Sequence, residues 1–200
     1  MGPSRTRLRF PRRIQPISRR IGGRALAGWP ANADNRGAVR ENRILYKDVL
    51  RWPEEDRPRA SYADWLRGRR DPRADFIGAQ LRLHALRRKP GSWGEYDELE
   101  AQSEALLAQH GADWTAEVAK LGVECRLDRG FVDLVTLEAA DFPNVAKKLF
   151  RAAPVLHLRL RNAAGMLAAV GQQPQLRQVV SLGLFRSGAT DADVEALCRS

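Results

Sequence analysis

Residues 57–80, RPRASYADWLRGRRDPRADFIGAQ, decide the fold of the first half of the chain and contain six arginines and three aspartates. Tyr62, Trp65 and Leu66 stand at i, i+3 and i+4, which is the spacing of one helical face. A second apolar group begins at Phe76, after an Asp-Pro pair that is typical of a helix start. The stretch therefore predicts two short helices. Because its charges alternate in sign, whereas a phosphate-binding helix carries a one-signed stripe, we interpret them as a solvated surface.

Helical periodicity extends over residues 41–121. One helix is predicted before Pro53, and Asp56 is expected to cap the next helix by accepting hydrogen bonds from its first amides. Another helix is predicted from about Glu95, and helical spacing continues beyond Gly111. These segments together predict a helical module.

The pattern changes at residue 122. Residues 123–137, VECRLDRGFVDLVTL, predict a β-hairpin, because β-rich runs flank the turn sequence Asp-Arg-Gly. Three strand candidates then recur at offsets of 23 and 24 residues, each followed by a helical segment. One strand and one helix within 20–29 residues are typical of leucine-rich repeats. The strand pairs are Val135 and Leu137, Leu158 and Leu160, and Leu182 and Leu184, and the helical segments are Pro143–Ala152, Ala163–Val170 and Asp191–Arg199.

The predicted fold class is therefore α/β (α+β), with an N-terminal helical module followed by a short leucine-rich-repeat-like βα array that a β-hairpin starts. The net charge of +10 is distributed unevenly over it. Residues 1–40 carry ten arginines and one aspartate, so nearly all of the excess charge lies there, whereas residues 41–200 have a net charge of only +1. Prolines and glycines interrupt the first segment. We expect a disordered Arg-rich tail at 1–40, the helical module at 41–121, and the hairpin with its repeats at 122–200.

The arginine-rich tail allows two interpretations. Residues 5–24 form an arm for nucleic acid or anionic membrane, or the segment is an unstructured extension without a ligand. No apolar run approaches the roughly 18 residues of a membrane span, so no transmembrane segment is expected. The two cysteines are outside any CxxC pair and too few for a disulfide framework, which favours a reducing compartment and a cytoplasmic location.

Residues 53–80, PEEDRPRASYADWLRGRRDPRADFIGAQ, resemble the bacterial repeat-companion domain, a short helical module that precedes leucine-rich-like repeats. The family pattern is roughly P-x-D-D-x-x-R-L-x-Y-A-D-W-L-E-E-x-G-D-P-x-A-E-F-I-R-x-Q. The chain departs from it at Ala60, Arg67, Gly68 and Gly78, which changes surface charge more than the fold. The resemblance extends over about residues 43–200 and implies an architecture, but the family brings no established activity. The matching residues are Pro53, Asp56, Arg59, Tyr62, Ala63, Asp64, Trp65, Leu66, Asp71, Pro72, Ala74, Phe76, Ile77 and Gln80.

The motif places an arginine, two aromatic residues and an aspartate in one helical segment. They make either a carboxylate–aromatic ligand pocket or a small core with a polar latch. We favour the core, because Tyr62 and Trp65 lie one turn apart beside Leu66. The residues to which the resemblance gives a structural role are Asp56, Arg59, Tyr62, Asp64, Trp65, Phe76 and Gln80.

Signatures of catalysis and of metal binding are missing from the sequence. His84, His110 and His157 each stand alone on separate predicted elements, whereas a metal site needs clustered ligands. No GxSxG, GxxxxGK[ST], GxGxxG or HExxH motif occurs. We therefore expect no catalytic residue, no metal and no cofactor, and a protein that is not an enzyme.

The predicted repeat strands offer a surface for a protein partner. Strand side chains alternate between faces, so residues between the core leucines point to the opposite side. One row there holds Glu138, Arg161 and Phe185, an arginine beside an aromatic as in interface hot spots. Alternatively, Arg161 only pairs with Glu138, and Phe185 folds against the following loop. We expect a non-enzymatic protein–protein interaction or scaffold protein, whose candidate partner-binding residues are Thr136, Glu138, His157, Arg159, Arg161 and Phe185.

Overall fold

The computed structural model of the chain describes residues 36–87, 93–184 and 186–200, with side chains from residue 43 onward. The fold class is α+β, with a helical N-terminal part followed by a hairpin and strand–helix units, as the sequence predicted. The helices are α1 (Arg36–Arg51), α2 (Asp56–Arg67), α3 (Arg73–Leu86), α4 (Trp93–Ala119), α5 (Phe142–Ala152), α6 (Leu167–Gly171) and α7 (Asp191–Arg199). The strands are β1 (Glu124–Asp128), β2 (Phe131–Glu138), β3 (His157–Arg161) and β4 (Ser181–Gly183).

The ends of two helices differ from the predicted ones. Helix α1 begins at Arg36, so the last residues of the segment expected to be a tail are helical. The nearest preceding helix breaker in the sequence is Pro30, which leaves the backbone free to form this additional turn. The remainder of the predicted tail lies outside the described residues. Helix α4 begins at Trp93 and runs through Gly111 without interruption.

The prediction that Asp56 caps α2 was wrong. The N-cap is Glu55, and Asp56 makes no side-chain capping hydrogen bond. Its carboxylate instead accepts a hydrogen bond from Arg129 Nη1 at 3.0 Å, because the hairpin brings a guanidinium group to this helix end. The Asp71 carboxylate, by contrast, accepts a hydrogen bond from the backbone amide of Arg73 at 2.9 Å at the start of α3.

The strands form one mixed sheet in the order β1-β2-β3-β4. β1 and β2 are the predicted antiparallel hairpin, and β3 and β4 add in parallel. The predicted lateral pairs are present, since Leu158 lies opposite both Val135 and Leu182, and Leu160 lies opposite Leu137. The expected pair between Leu160 and Leu184 is missing, because β4 ends at Gly183 and the chain then turns.

The strand–helix connections follow the predicted order with one addition. Helix α5 follows β2, and α7 follows β4, within one residue of the predicted segments. The segment predicted as one helix after β3 is the short helix α6, followed by a 3-10 helix at Pro174–Gln178 that the sequence did not predict. Thr190 and Asp193 form a capping box that starts α7.

Two apolar cores hold the fold together. The larger core lies between one sheet face and helices α4 to α6, and Val135, Leu137, Leu158 and Leu160 are buried in it. The smaller core belongs to α1, α2 and α3, and it also contains Phe131 from the first position of β2. The hairpin therefore joins the two cores, because it contributes side chains to both.

Candidate functional site

Residues of the motif at 53–80 surround the hairpin turn. Arg129 and Gly130 both have positive φ, 48° and 84°, which is the backbone of a two-residue type I′ turn. The Gly130 amide donates to Gln80 Oε1 at 3.1 Å, and its carbonyl accepts from Arg73 Nη2 at 3.2 Å. A side chain at Gly130 would collide with Ile77, since a Cβ there would lie 2.2 Å from Ile77 Cγ1. The helical module therefore contacts the hairpin turn through hydrogen bonds to the backbone of Gly130.

Arg59 is the most deeply buried charged residue among those described. Its exposed fraction is 0%, and its guanidinium group donates to the carbonyls of Pro53 at 2.6 Å and Arg129 at 3.4 Å. The group also lies 5.1 Å from the centre of the Phe131 ring. Burial, together with the nearby Arg129 charge, lowers the pKa of Arg59 to about 10. Arg59 thus links α2 to the hairpin turn inside the protein.

Arg129 was not singled out by the sequence, although it completes this junction. Its side chain is 8% exposed and donates to the carbonyl of Glu54 at 2.7 Å. It also forms ion pairs with Asp56 at 3.0 Å and with Asp128 at 3.4 Å. The only sequence signal was its place in the Asp-Arg-Gly turn, which predicts a hairpin but not a buried cation.

The remaining motif residues support the interpretation as a core. Tyr62 and Phe76 are buried, and Trp65 is half-buried, with the Arg69 guanidinium 3.8 Å from its ring centre. Asp64 is exposed and pairs with Arg67 at 2.5 Å. The carboxylate is therefore on the surface and does not join the aromatic side chains in a ligand pocket.

The sheet face opposite the larger core carries the candidate partner-binding residues, and we refer to it as the open face. Three lateral rows cross it, because paired strand positions share a face. Arg126, Leu134, His157 and Ser181 form the first row, Glu124, Thr136, Arg159 and Gly183 form the second, and Glu138 with Arg161 forms the third. Phe185, expected in the third row, lies outside the described residues.

An ion pair crosses the open face diagonally. Arg161 donates to both carboxylate oxygens of Glu124, at 2.6 and 3.1 Å. This hydrogen-bonded carboxylate raises the pKa of Arg161. Glu138 accepts instead from the Asn162 side-chain amide at 2.8 Å. The alternative in which Arg161 only pairs with Glu138 is therefore wrong, because the strand register brings Glu124 of β1 within reach.

Two other cations of the open face lack an ion-pair partner among the described residues. Arg126 and Arg159 are both exposed and form no salt bridge or side-chain hydrogen bond within that part of the chain. The stem of Arg159 packs over Gly183, where an added Cβ would lie 3.1 Å from Arg159 Cγ. The missing side chain at Gly183 thus leaves room for the stem of Arg159 beside β4.

A buried carboxylate lies beneath one end of the open face. The ladder between β1 and β2 shifts register after Arg126, which marks a β-bulge, and Asp133 is the additional residue on β2. The Asp133 side chain is 4% exposed, and its Oδ2 lies 3.4 Å from His157 Nε2. Its Oδ1 has no hydrogen-bond partner, and burial raises the pKa of Asp133. His157 therefore has a carboxylate neighbour that sequence spacing did not indicate.

Metal ligands and membrane spans can be checked directly in the described part of the chain. Within the described ranges, no group of three or more His, Cys, Asp and Glu side chains is arranged to hold a metal ion. None of the described helices combines the length and the apolar composition that a membrane span requires. The open face carries Arg126 and Arg159, which have no ion pair among the described residues, and it ends at the three-residue strand β4.

Comparisons of the chain with protein-family models, with curated proteins and with solved structures each gave no match. Membership of the repeat-companion family stays a prediction from the quoted motif.

Proposed function

We propose that this chain is a non-enzymatic protein-interaction module, and that its open face binds a carboxylate-bearing segment of a protein partner. The strand–helix units belong to a leucine-rich-repeat-like array, in which the sheet face without helices is the docking face. The observation that carries the proposal is the exposed Arg159 guanidinium, which no described carboxylate neutralises. An arginine fork binds a carboxylate with two parallel hydrogen bonds, which gives orientation as well as affinity.

The neighbouring residues favour an extended peptide as the bound segment. Thr136 lies between Glu124 and Arg159 in the second row, so a hydroxyl stands beside the cation. Arg161 pairs with Glu124, so Arg159 and Arg126 are the cations of the open face that form no ion pair with a described residue. Strand β4 has a neighbour on one side only within the described residues, and its other edge can accept an added strand.

A second candidate function is binding of nucleic acid or anionic membrane through residues 5–24. It is supported by the ten arginines and one aspartate among the first 40 residues of the sequence. These residues lie outside the described part of the chain, so the protein-interaction proposal rests on more observations.

Peptide display with the full chain as bait tests the proposal. A random peptide library is selected on the wild-type chain after depletion on the Arg159→Glu variant, and the enriched peptides are titrated by fluorescence anisotropy. We expect acidic residues in the enriched peptides and an affinity at least about tenfold lower for Arg159→Ala, since hydrogen bonds to charged groups contribute about 1.5–3 kcal/mol.

The matched control is Arg57→Ala, which removes an exposed arginine from α2, away from the open face. Its peptide affinity should equal that of the wild type. Equal losses in both variants would mean that the peptides respond to overall charge, and the proposal would then fail, as it would without acidic enrichment.

A further inference from the structure

A hydrogen bond between α1 and α5 separates two clefts of opposite character. Tyr46 Oη donates to the carbonyl of Ala152 at 2.5 Å, and Tyr46 lines both clefts. One cleft contains the carboxylates of Asp113 and Glu117 beside Arg73. The other, which we refer to as the basic groove, has a volume of about 670 Å³, and none of the described residues that line it carries a carboxylate. The residues that line the basic groove are Arg43, Tyr46, Lys47, Leu50, Tyr62, Phe150 and Arg151.

The rim of the basic groove is formed by cations of two helices. Arg43 and Lys47 are four residues apart on α1, and Arg151 lies in the last turn of α5. All three are exposed, and none forms an ion pair with a described residue. Helix α5 adds exposed Lys147 and Lys148 and contains no acidic residue. Three cations from two helices therefore line one groove, although residues 41–200 are nearly neutral.

The floor of the basic groove is apolar and partly aromatic. Tyr46 and Phe150 are half-buried, so part of each ring is accessible, and Leu50 lies beside them. Tyr62 is buried and closes the floor. A positively charged groove with aromatic side chains is the arrangement that binds the phosphates and base faces of a single nucleic-acid strand.

A membrane surface fits these residues less well. Ile44 of α1 and Trp52, which directly follows this helix, are large apolar residues with 53% and 51% exposure. They are eight residues apart, and Asp48 stands between them on the same helical side, so the carboxylate interrupts an apolar strip. The cations also surround a concavity, whereas membrane-bound helices present a convex apolar face.

We propose that the basic groove binds single-stranded nucleic acid, with its phosphates on Arg43, Lys47 and Arg151 and a base against Phe150 and Tyr46. This site is distinct from the open face and from residues 5–24. It is formed by long-range contact between α1 and α5, so it requires the folded chain. Each cation contacts one phosphate of the bound strand.

Fluorescence anisotropy with the full chain and a labelled single strand of about 12 nucleotides tests this proposal. The variant Lys47→Ala/Arg151→Ala removes two phosphate contacts, each of which contributes about 0.7 to the slope of log affinity against log salt. We expect the slope to fall by about 1.4 and the affinity at 0.1 M salt to fall about 25-fold. The control Arg57→Ala/Arg177→Ala removes two exposed charges outside the groove and should leave both values near those of the wild type. Residues 1–40 are identical in every variant, so their contribution cancels.

A duplex of the same sequence, phosphatidylserine vesicles and polyglutamate are titrated in parallel. The proposal predicts that the groove variant loses affinity for the single strand far more than for these three ligands. Equal losses in the groove and control variants would overturn it, as would preferential loss of duplex, vesicle or polyglutamate binding. Thermal melting of both variants establishes that the comparison is between folded chains. Phe150→Leu is a third variant, which retains every charge and should still weaken binding of the single-stranded nucleic acid.

Discussion

Substituting Gly130 by alanine tests the junction between the helical module and the hairpin. A Cβ at this position would lie 2.2 Å from Ile77 Cγ1, 2.9 Å from Ile77 Cβ and 3.1 Å from Ile77 Cα. The last of these atoms belongs to the backbone of α3, so a rotamer change of Ile77 alone does not relieve the overlap. The hairpin turn and the helix have to move apart.

The expected loss has two parts. A non-glycine residue at φ of 84° costs about 1–2 kcal/mol in the left-handed region. Forcing additional atoms into a packed core costs about 1–3 kcal/mol more. The free energy of unfolding should therefore fall by about 2–5 kcal/mol, and the Tm should fall by about 4–20 °C for a chain of this size.

Gly122→Ala is the matched control. Gly122 has a φ of 74°, but no atom lies within 4 Å of its Cβ position, so only the backbone part applies. Calorimetry and urea denaturation of both variants measure the difference between them. The double variant Gly130→Ala/Ile77→Ala should lose at least about 0.5 kcal/mol less than the sum of the single variants, because the partner of the collision is smaller. Equal stabilities of Gly130→Ala and Gly122→Ala would refute the close contact between the hairpin turn and α3.

Three further predictions concern Arg59, Phe76 and Asp133, and each is tested by urea denaturation. Arg59→Ala should lower the free energy of unfolding by about 3 kcal/mol or more, because two carbonyl groups lose their hydrogen-bond donor inside the protein. Arg57→Ala should change it by no more than about 0.5 kcal/mol. Similar values for both variants would contradict the burial of Arg59. Phe76→Ala should cost about 3–5 kcal/mol because its ring is buried, and Trp65→Ala should cost less because its ring is half-buried, so the reverse order would be evidence against this packing. Asp133 has a raised pKa through burial, so between its unfolded value near 4 and its folded value the native state binds more protons, and stability falls as pH rises. Asp133→Asn should remove that decline above about pH 4, and parallel pH profiles of the two proteins would show that the carboxyl is not buried.

The elements that depend on local spacing were predictable from the sequence. Tyr62, Leu66 and Phe76 marked the buried sides of α2 and α3, because helical periodicity selects the core face regardless of neighbours. The offsets of 23 and 24 residues placed Leu158 beside Val135 and Leu182, because parallel strands repeat with the length of the connecting unit. The glycine of the Asp-Arg-Gly sequence marked the hairpin turn through its conformational preference.

The parts that depend on long-range contact were not predictable. Residue spacing did not indicate the burial of Arg59 and Arg129, since it requires carbonyls and carboxylates from distant segments. The partner of Arg161 was assigned within the repeat rows, but the ion pair reaches Glu124 on the far side of β2. The basic groove contains Lys47 and Arg151, which are far apart in the chain. Counting the net charge of residues 1–40 and 41–200 separately therefore could not indicate the groove.

The proposed partner site lies on the open face, around Arg159. Backbone amide NMR of the full chain, titrated with an acidic peptide selected on it, measures where the peptide binds. The proposal predicts chemical-shift changes centred on Thr136, Arg159 and Gly183, and their loss in Arg159→Ala. Changes confined to α1 and α5, or unchanged shifts on β2 and β3, would contradict it.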